Sequence, residues 1–315
     1  MLKKGVTLRG LEVFEALAEN GSVARAAELT GLSQPAVSQQ IRNLETALGS
    51  ELVDHGRRPM RLTPAGRSFL ARTREVLGQL RMAQSELAVM DLAHLSTLRL
   101  GMIDDFDNDL TPRLVTILAE SMTRCRFRLV TAPSHEISAA LQSRRLDLAA
   151  AASAGAALEG VVEYPMVRDP FILVTPRGED AGAVERLPFL RYDREQLIGR
   201  QIEAHLAREG LDFPERFELG AHLALMTLVA RGVGWAVTTP LGYMRAARHH
   251  DHISAHPLPW TPFSRTISLF ALADWADSVP RDLAATIRAL VQGQVIEPAL
   301  RQLPWLEGEL TLLDD

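Results

Sequence analysis

The run Ser33-Gln-Pro-Ala-Val-Ser-Gln-Gln-Ile-Arg42 sets short hydrogen-bonding side chains and one guanidinium three and four residues apart, a spacing that collects them on one face of a helix. Hydroxyl and amide groups can bond to base edges in a major groove, and an arginine can bond to a guanine or a phosphate. Ser33, Gln34, Pro35, Ser38, Gln39 and Arg42 are therefore candidate DNA contacts. A second cationic cluster, Arg57, Arg58 and Arg61 around Pro59, suits phosphates or a minor groove. A polar helix face alone is more often simply solvated, so the weight rests on the face and the cluster occurring together.

Another group of residues suits a small ligand. In an open α/β sheet, ligands collect beyond the carboxyl ends of strands, near helix N-termini whose free N–H groups favour anions. Those positions select Asp104, Asp105 and Phe106, then Ser134 and His135 after Pro133, and in the following half Arg191, Tyr192, Trp235, Thr238 and Thr239. Two adjacent carboxylates favour a cationic or polyhydroxylated ligand, whereas Arg191 and the helix N-termini favour a carboxylate. A zwitterion satisfies both, so the expected effector is an amino-acid-like or other amine-bearing metabolite. Taken singly, each residue has a plainer use: Ser134 as a cap, Trp235 in the core, the aspartates in solvent.

Other chemistry finds little support. His249, His250, His252 and His256 cluster, but only Asp251 stands near as an acidic ligand, and a metal-dependent enzyme remains a secondary alternative. Arg231-Gly-Val-Gly234 lacks the third glycine of a nucleotide fingerprint and precedes a strand, so it suits a helix end and turn. No Gly-x-Ser-x-Gly, Walker loop or His-Glu-x-x-His occurs, and neither catalysis nor a cofactor is expected. Cys125 is the only cysteine and cannot form an intramolecular disulfide.

Elements must hold these residues in place. Helices are expected over Leu8–Asn20, over Val23–Thr30 behind a Ser22 cap, and from Ser33 to Leu48 with Pro35 in the first turn. The last carries Val37, Ile41, Leu44 and Leu48 as an apolar stripe opposite the polar face. Residues 57–62 form a short basic hairpin, completing a winged helix-turn-helix. Thr63 caps a further helix in which Phe69, Thr73, Val76, Leu80, Ala83, Leu87 and Met90 alternate at spacings of four and three, the pattern of a helix-pairing seam. Phe69, Val76, Leu80 and Leu87 are its candidate dimerisation residues. From Leu98 onward strands and helices alternate, predicting parallel α/β structure in two lobes around a cleft, with a return to the first lobe at Arg265–Ala273.

The stretch from Ser22-Val-Ala-Arg-Ala-Ala-Glu-Leu-Thr-Gly to Leu48-Gly49, followed by Leu62-Thr-Pro-Ala-Gly66, resembles the signature of LysR-type transcriptional regulators. The resemblance implies that Gln34, Pro35 and Ser38 lie nearest the bases and Arg42 nearest the backbone. It implies a linker helix pairing with a second subunit, a homodimer that assembles further to a homotetramer, and a periplasmic-binding-protein-like effector domain. Double-stranded promoter DNA and a small-molecule effector are the partners so implied, with RNA polymerase a further candidate. Where the family has Phe-x-Arg before the wing, this chain has Val53-Asp54-His55, a departure that weakens one expected phosphate contact, since an imidazole is mostly neutral at pH 7 and Asp54 adds repulsion. A transport solute-binding protein would share the C-terminal fold but not the reading head.

Composition agrees with that division. Of 315 residues, 47% are hydrophobic and 23% charged, as in ordinary folded proteins. Residues 1–90 hold 12 Lys/Arg against 9 Asp/Glu, and the remainder 22 against 30, so a basic head precedes an acidic body and DNA should dock through the head. The expected organisation is a DNA-binding domain over 1–62, a linker helix over 63–91, an effector domain over 92–300 and a tail over 301–315. The N-terminus shows no apolar leader, from which a cytoplasmic location is expected.

Overall fold

A computed structural model describes residues 5–56, 59–87, 96–275 and 278–313. The chain divides into two compact units, Met1–Val89 with Ser143–Arg145, and Met90–Gln142 with Leu146–Asp315.

In the first unit, α1 (Leu8–Asn20), α2 (Val23–Thr30) and α3 (Gln34–Leu48) each begin behind a side-chain cap: Thr7 accepts from Gly10 N, Ser22 from Arg25 N and Ser33 from Ala36 N. Gly31 makes the turn into α3 at φ 67°, a left-handed conformation that costs glycine nothing sterically. Leu11, Val13, Phe14 and Leu17 of α1 pack with Ala26, Ala27, Val37, Ile41 and Leu44. The small alanines let α2 approach closely.

Two short strands, β1 (Val53–Asp54) and β2 (Arg61–Leu62), pair antiparallel to form the wing. Glu45, buried on α3, fixes the wing's base: its carboxylate accepts from Leu52 N at 2.9 Å and Val53 N at 3.1 Å, and meets His55 Nε2 at 2.9 Å. The departure at His55 thus acquires a structural use. Glu45→Ala strands two buried donors, so a local loss of about 2–3 kcal/mol is expected. Hydrogen exchange at the Leu52 and Val53 amides should accelerate accordingly, and unchanged exchange would show that the wing is held otherwise.

Thr63 caps α4 (Pro64–Leu87), accepting from Gly66 N at 2.9 Å. Leu70 and Leu77 bury against the three-helix core, and Arg74 reaches Glu15 and Glu19 of α1. The predicted seam therefore splits. Phe69 lies 5.8 Å from the Phe14 ring and Thr73 is buried, both facing their own unit, whereas Val76 and Leu80 are 46% and 37% exposed. The Leu87 side chain lies outside the described residues.

The second unit opens with β3 (Thr97–Ile103), a 3-10 turn at Asp104–Phe106, α5 (Leu110–Ser121), β4 (Arg126–Ala132), α6 (Ser134–Gln142) and β5 (Leu148–Ala152). The long β6 (Val161–Pro170) leads into the second lobe: β7 (Ile172–Pro176), α7 (Ala183–Arg186), β8 (Leu190–Tyr192), α8 (Leu197–Arg208), β9 (Phe217–Leu219), α9 (His222–Ala230), β10 (Ala236–Thr238), α10 (Pro240–Arg245) and β11 (Ile253–His256). The chain returns through β12 (Ser264–Leu272), α11 (Ser278–Val291), α12 (Glu297–Gln302) and β13 (Thr311–Leu312).

The first sheet runs β13-β6-β12-β5-β3-β4. Only its β5-β3-β4 part is parallel; β12 runs antiparallel to β5 and β6. In the second lobe, β10 and β11 flank β7 antiparallel, and β8 pairs parallel with β9. The expectation of parallel sheets thus needs correction, because the two crossings between lobes bring strands back in the opposite direction. The C-terminal segment packs onto this unit: Leu306 and Leu310 are buried and β13 extends the sheet along β6.

Candidate functional site: a polar cleft and a reading helix

On the first unit, Ser33, Gln34, Pro35, Gln39 and Arg42 are exposed and Ser38 is half-buried, while Val37, Ile41 and Leu44 point into the core. Gln34, Pro35 and Ser38 line an open depression with Val23 of α2 and Met60 of the wing. Gln39 Nε2 donates to Asn43 Oδ1 at 2.8 Å, which orients it along the helix. Arg61 is exposed at the start of β2; Arg57 and Arg58 lie outside the described residues. The face therefore offers hydrogen-bonding groups at its N-terminal end, where the helix dipole also favours phosphate, and a cation further along.

In the second unit, a cavity between the lobes is lined by Asp104, Asp105, Ser134, Tyr192, His222 and Arg265, with Pro133 and the start of α8 at Gln196–Ile198 completing it. Its accessible space is about 30 Å³, enough for a few waters. Its walls are tightly bonded. Arg265 Nε donates to Asp169 Oδ2 at 2.9 Å, and its Nη2 donates to Asp105 Oδ2 at 2.5 Å and Thr239 Oγ1 at 3.1 Å. Arg245 Nη1 donates to Asp104 Oδ2 at 2.8 Å.

Tyr192 and His222 form a second chain. His222 Nε2 lies 2.7 Å from the Gly242 carbonyl, so Nε2 carries the proton and Nδ1 accepts from the Tyr192 hydroxyl at 2.5 Å; the Thr238 hydroxyl, at 2.9 Å, then donates to Tyr192. Only glycine fits at 242, because a Cβ there would come within 2.8 Å of Thr238 Oγ1 and 2.9 Å of His222 Cε1.

Burial and charge set the ionisation. Burial, then the neighbouring Asp105, raises the Asp104 carboxyl, against the pull of Arg245. Burial would raise Asp105 too, but Arg265 together with the neighbouring His222 and Arg245 outweighs it and holds that carboxyl below its usual range. Asp169 is pushed up to about 6 because its burial outweighs Arg265. Burial lowers His222 and keeps it neutral. Three carboxylates thus face two guanidiniums and a neutral imidazole.

A proton count follows from His222. Below about pH 6.5 the unfolded chain takes up a proton that the folded one refuses, so His222 makes stability fall as pH falls, by up to about 1.4 kcal/mol per unit. Asp169 acts with the opposite sign between its unfolded value and about 6. The difference between wild type and His222→Gln isolates the histidine: the variant should lose less stability on acidification from pH 7 to 5. Parallel pH profiles would contradict this.

The sequence-derived ligand residues separate into three sets. Asp104, Asp105, Ser134 and Tyr192 are brought together on the cavity. Thr238 and Thr239 stand behind it, holding Tyr192 and Arg265, and His135 is half-buried beside Ser134. Three residues go elsewhere. Phe106 and Trp235 are in the core, Trp235 stacked 4.4 Å from Phe189. Arg191 is buried, with its guanidinium on Glu203 and the Phe213 carbonyl; as part of β8 it faces away from the cleft that Tyr192 reaches. Sequence reasoning missed His222, Arg265, Gln196, Arg245 and Asp169. His222 and Gln196 sit at the starts of α9 and α8, so the helix N-terminus argument that selected Ser134 would have selected them. The clustered histidines serve local packing: His250 stacks on Tyr243 at 4.2 Å, His249 meets Thr227 and His256 meets Thr175.

A capped three-helix head with a wing, joined to a two-lobed α/β domain with a polar cleft, defines a winged helix-turn-helix regulator with a binding domain. The profile described as "Bacterial regulatory helix-turn-helix protein, lysR family" matches residues 8–67, and "LysR substrate binding domain" matches residues 94–292. The chain belongs to the LysR family of DNA-binding transcription regulators.

Among its relatives, a probable hydrogen peroxide-inducible genes activator of Mycobacterium xenopi is 31% identical over 182 residues, covering 58% of this chain and 96% of that protein. The dual regulator OxyR of Escherichia coli K12 is 26% identical over 298 residues, covering 91% and 97%. A RuBisCO operon transcriptional regulator of Allochromatium vinosum is 29% identical over 246 residues, covering 78% and 80%. In fold, a full-length OxyR from Pseudomonas aeruginosa with a cysteine-to-aspartate substitution matches at a TM-score of 0.70 and 23% identity, covering 90% of this chain and 95% of that one. Among the described residues, no helix is long and apolar enough to cross a membrane.

Proposed function

We propose that this regulator binds promoter DNA through the outer face of α3 and the wing, and answers to a small zwitterionic metabolite held between the lobes of its second unit. The observation that carries the ligand class is the cavity's split lining. The first residues of α6 and α8, Ser134 and Leu197, both border it, so two helix N-termini offer N–H groups to a carboxylate. On the other side stand Asp104 and Asp105, in a set with one carboxylate more than its guanidiniums, which favours an ammonium group. The carboxylate partner is thus the pair of helix ends rather than Arg191.

The peroxide response named for several relatives has little support in the thiol chemistry of this chain. A peroxide-reactive cysteine is an accessible thiolate, whereas Cys125 is the only cysteine and its thiol is pushed up to about 11 by burial and the nearby Asp147. Calorimetry on the full-length protein with matched amino acids, dicarboxylates and amines tests the ligand class. Binding by amino acids alone, weakened at least tenfold by Asp104→Asn, is expected; binding only by dicarboxylates, indifferent to Asp104, would overturn it.

The exposed Val76 and Leu80 lie on the α4 face turned away from the domain core, which supports pairing of α4 with a second copy. Burying each such side chain contributes about 1.5–3 kcal/mol. Val76→Glu with Leu80→Glu should therefore shift the assembly to smaller species by at least tenfold in dissociation constant, read by analytical ultracentrifugation. An unchanged distribution would place the interface elsewhere.

A further inference from the structure

The two arginines bonded to the cavity's aspartates are held unequally. Arg265 is buried and held at two of its nitrogens: Nε on Asp169, Nη2 on Asp105 and Thr239, with Asp169 itself accepting from Leu241 N at 3.4 Å. Arg245, at the end of α10, makes one short ion pair, to Asp104 at 2.8 Å, and a longer approach to Asp107 at 3.9 Å. Its Nε is buried without an acceptor. Its side chain is only 10% exposed, whereas that of Asp104 is 36% exposed.

The Arg245 pair also spans the lobes. Asp104 belongs to the turn after β3 in the first lobe, and Arg245 to α10 in the second. Beside it, Asn108 Nδ2 donates to the Arg245 carbonyl at 2.9 Å, making a second bond between the same two segments. With these bonds in place the accessible space is about 30 Å³, small against the roughly 300–1,000 Å³ of pockets that enclose a ligand. A metabolite of that size can enter only after something yields. Of the two lining aspartates Asp104 is the more exposed, at 36% against 10% for Asp105, so its pair with Arg245, which stands behind the lining, is the contact a ligand reaches most readily.

We infer that Arg245 is a built-in competitor for the effector: its guanidinium occupies Asp104 in the empty protein, clasps the lobes, and is displaced when the ligand's ammonium group takes that carboxylate. This rests on the zwitterion reading for the identity of the ligand but not for the existence of the clasp. Release of Arg245 frees the end of α10 from the first lobe, so occupancy of the cleft is converted into a change in lobe contact. A ligand acts on such an equilibrium only through its differential affinity for the two states, and exchanging one cation for another on the same carboxylate supplies that difference.

Hydrogen exchange on the full-length, ligand-free protein tests the clasp. Arg245→Ala should accelerate exchange in α10 and in the Asp104–Phe106 turn by about tenfold, as expected when a local contact is lost, while β12 amides keep their protection and report an intact fold. Ethylguanidinium, which supplies the missing head group, should restore protection in the variant, and neutral ethylurea should not. As a second route, exchanging the charges with Asp104→Arg and Arg245→Asp should restore protection that either single change removes. Unaltered exchange in Arg245→Ala, or equal rescue by ethylurea, would overturn the clasp. Failure of amino acids to bind the wild type, with ethylguanidinium rescue intact, would remove the ligand reading and leave the clasp standing.

Discussion

Arg265→Met is expected to destabilise the second unit by about 3–5 kcal/mol, the usual cost of removing one partner of a buried ion pair. The arginine side chain is 4% exposed and lies between Asp105 and Asp169, whose own side chains are 10% and 0% exposed. Without it, two carboxylates are left buried beside one another with no cation between them. All four tryptophans, Trp235, Trp260, Trp275 and Trp305, belong to this unit, so fluorescence-detected urea unfolding reads its stability directly. Adding Asp105→Asn and Asp169→Asn should recover most of the loss, because the penalty arises from unpaired charge rather than from lost volume. A single-variant loss below about 1 kcal/mol would mean that water reaches the pair and screens it.

The second large effect is expected on DNA. Gln34 is exposed at the first turn of α3 beside Pro35 and Ser38, where a side chain entering a major groove reaches base edges. Gln34→Ala should cost about 1–3 kcal/mol at the native site, and most of that loss should vanish on sequences altered at the contacted base pair. Arg42→Ala should behave differently. As a phosphate contact it should weaken all duplexes alike and reduce the slope of log affinity against log salt by about one. Gel-shift titrations on native and base-substituted duplexes at two salt concentrations separate the two behaviours. A uniform loss for Gln34→Ala would move base reading to other side chains.

Local signals made the first unit legible. Its three helices begin and end where Ser22, Gly31, Ser33 and Gly49 place them, because caps and left-handed turns are determined within a few residues. The linker helix was legible in its start but not in orientation: Phe69, Thr73, Val76 and Leu80 share one spacing pattern, yet only contact with Phe14 and α1 decides that the first two turn inward.

The cleft was legible on one side only. Asp104, Asp105 and Ser134 follow strands of the first lobe in simple order, so topology alone puts them at one edge. In the second lobe Arg191 and Tyr192 are adjacent on a strand and must face opposite ways, and sequence offers no means of choosing between them. Arg265 reads in the sequence only as the start of an apolar strand. Its role comes from β6 and β12, which cross between the lobes and bring Asp169 beside it from 96 residues away.

The regulator reading is tested most directly by competition binding of the full-length protein to the DNA upstream of its own gene against shuffled duplex of equal length, with and without amino acids. A preference for the native duplex of at least about a thousandfold, falling in absolute affinity as salt rises and altered by one class of amino acid, is the predicted result. Equal binding to native and shuffled duplex under every condition would contradict it.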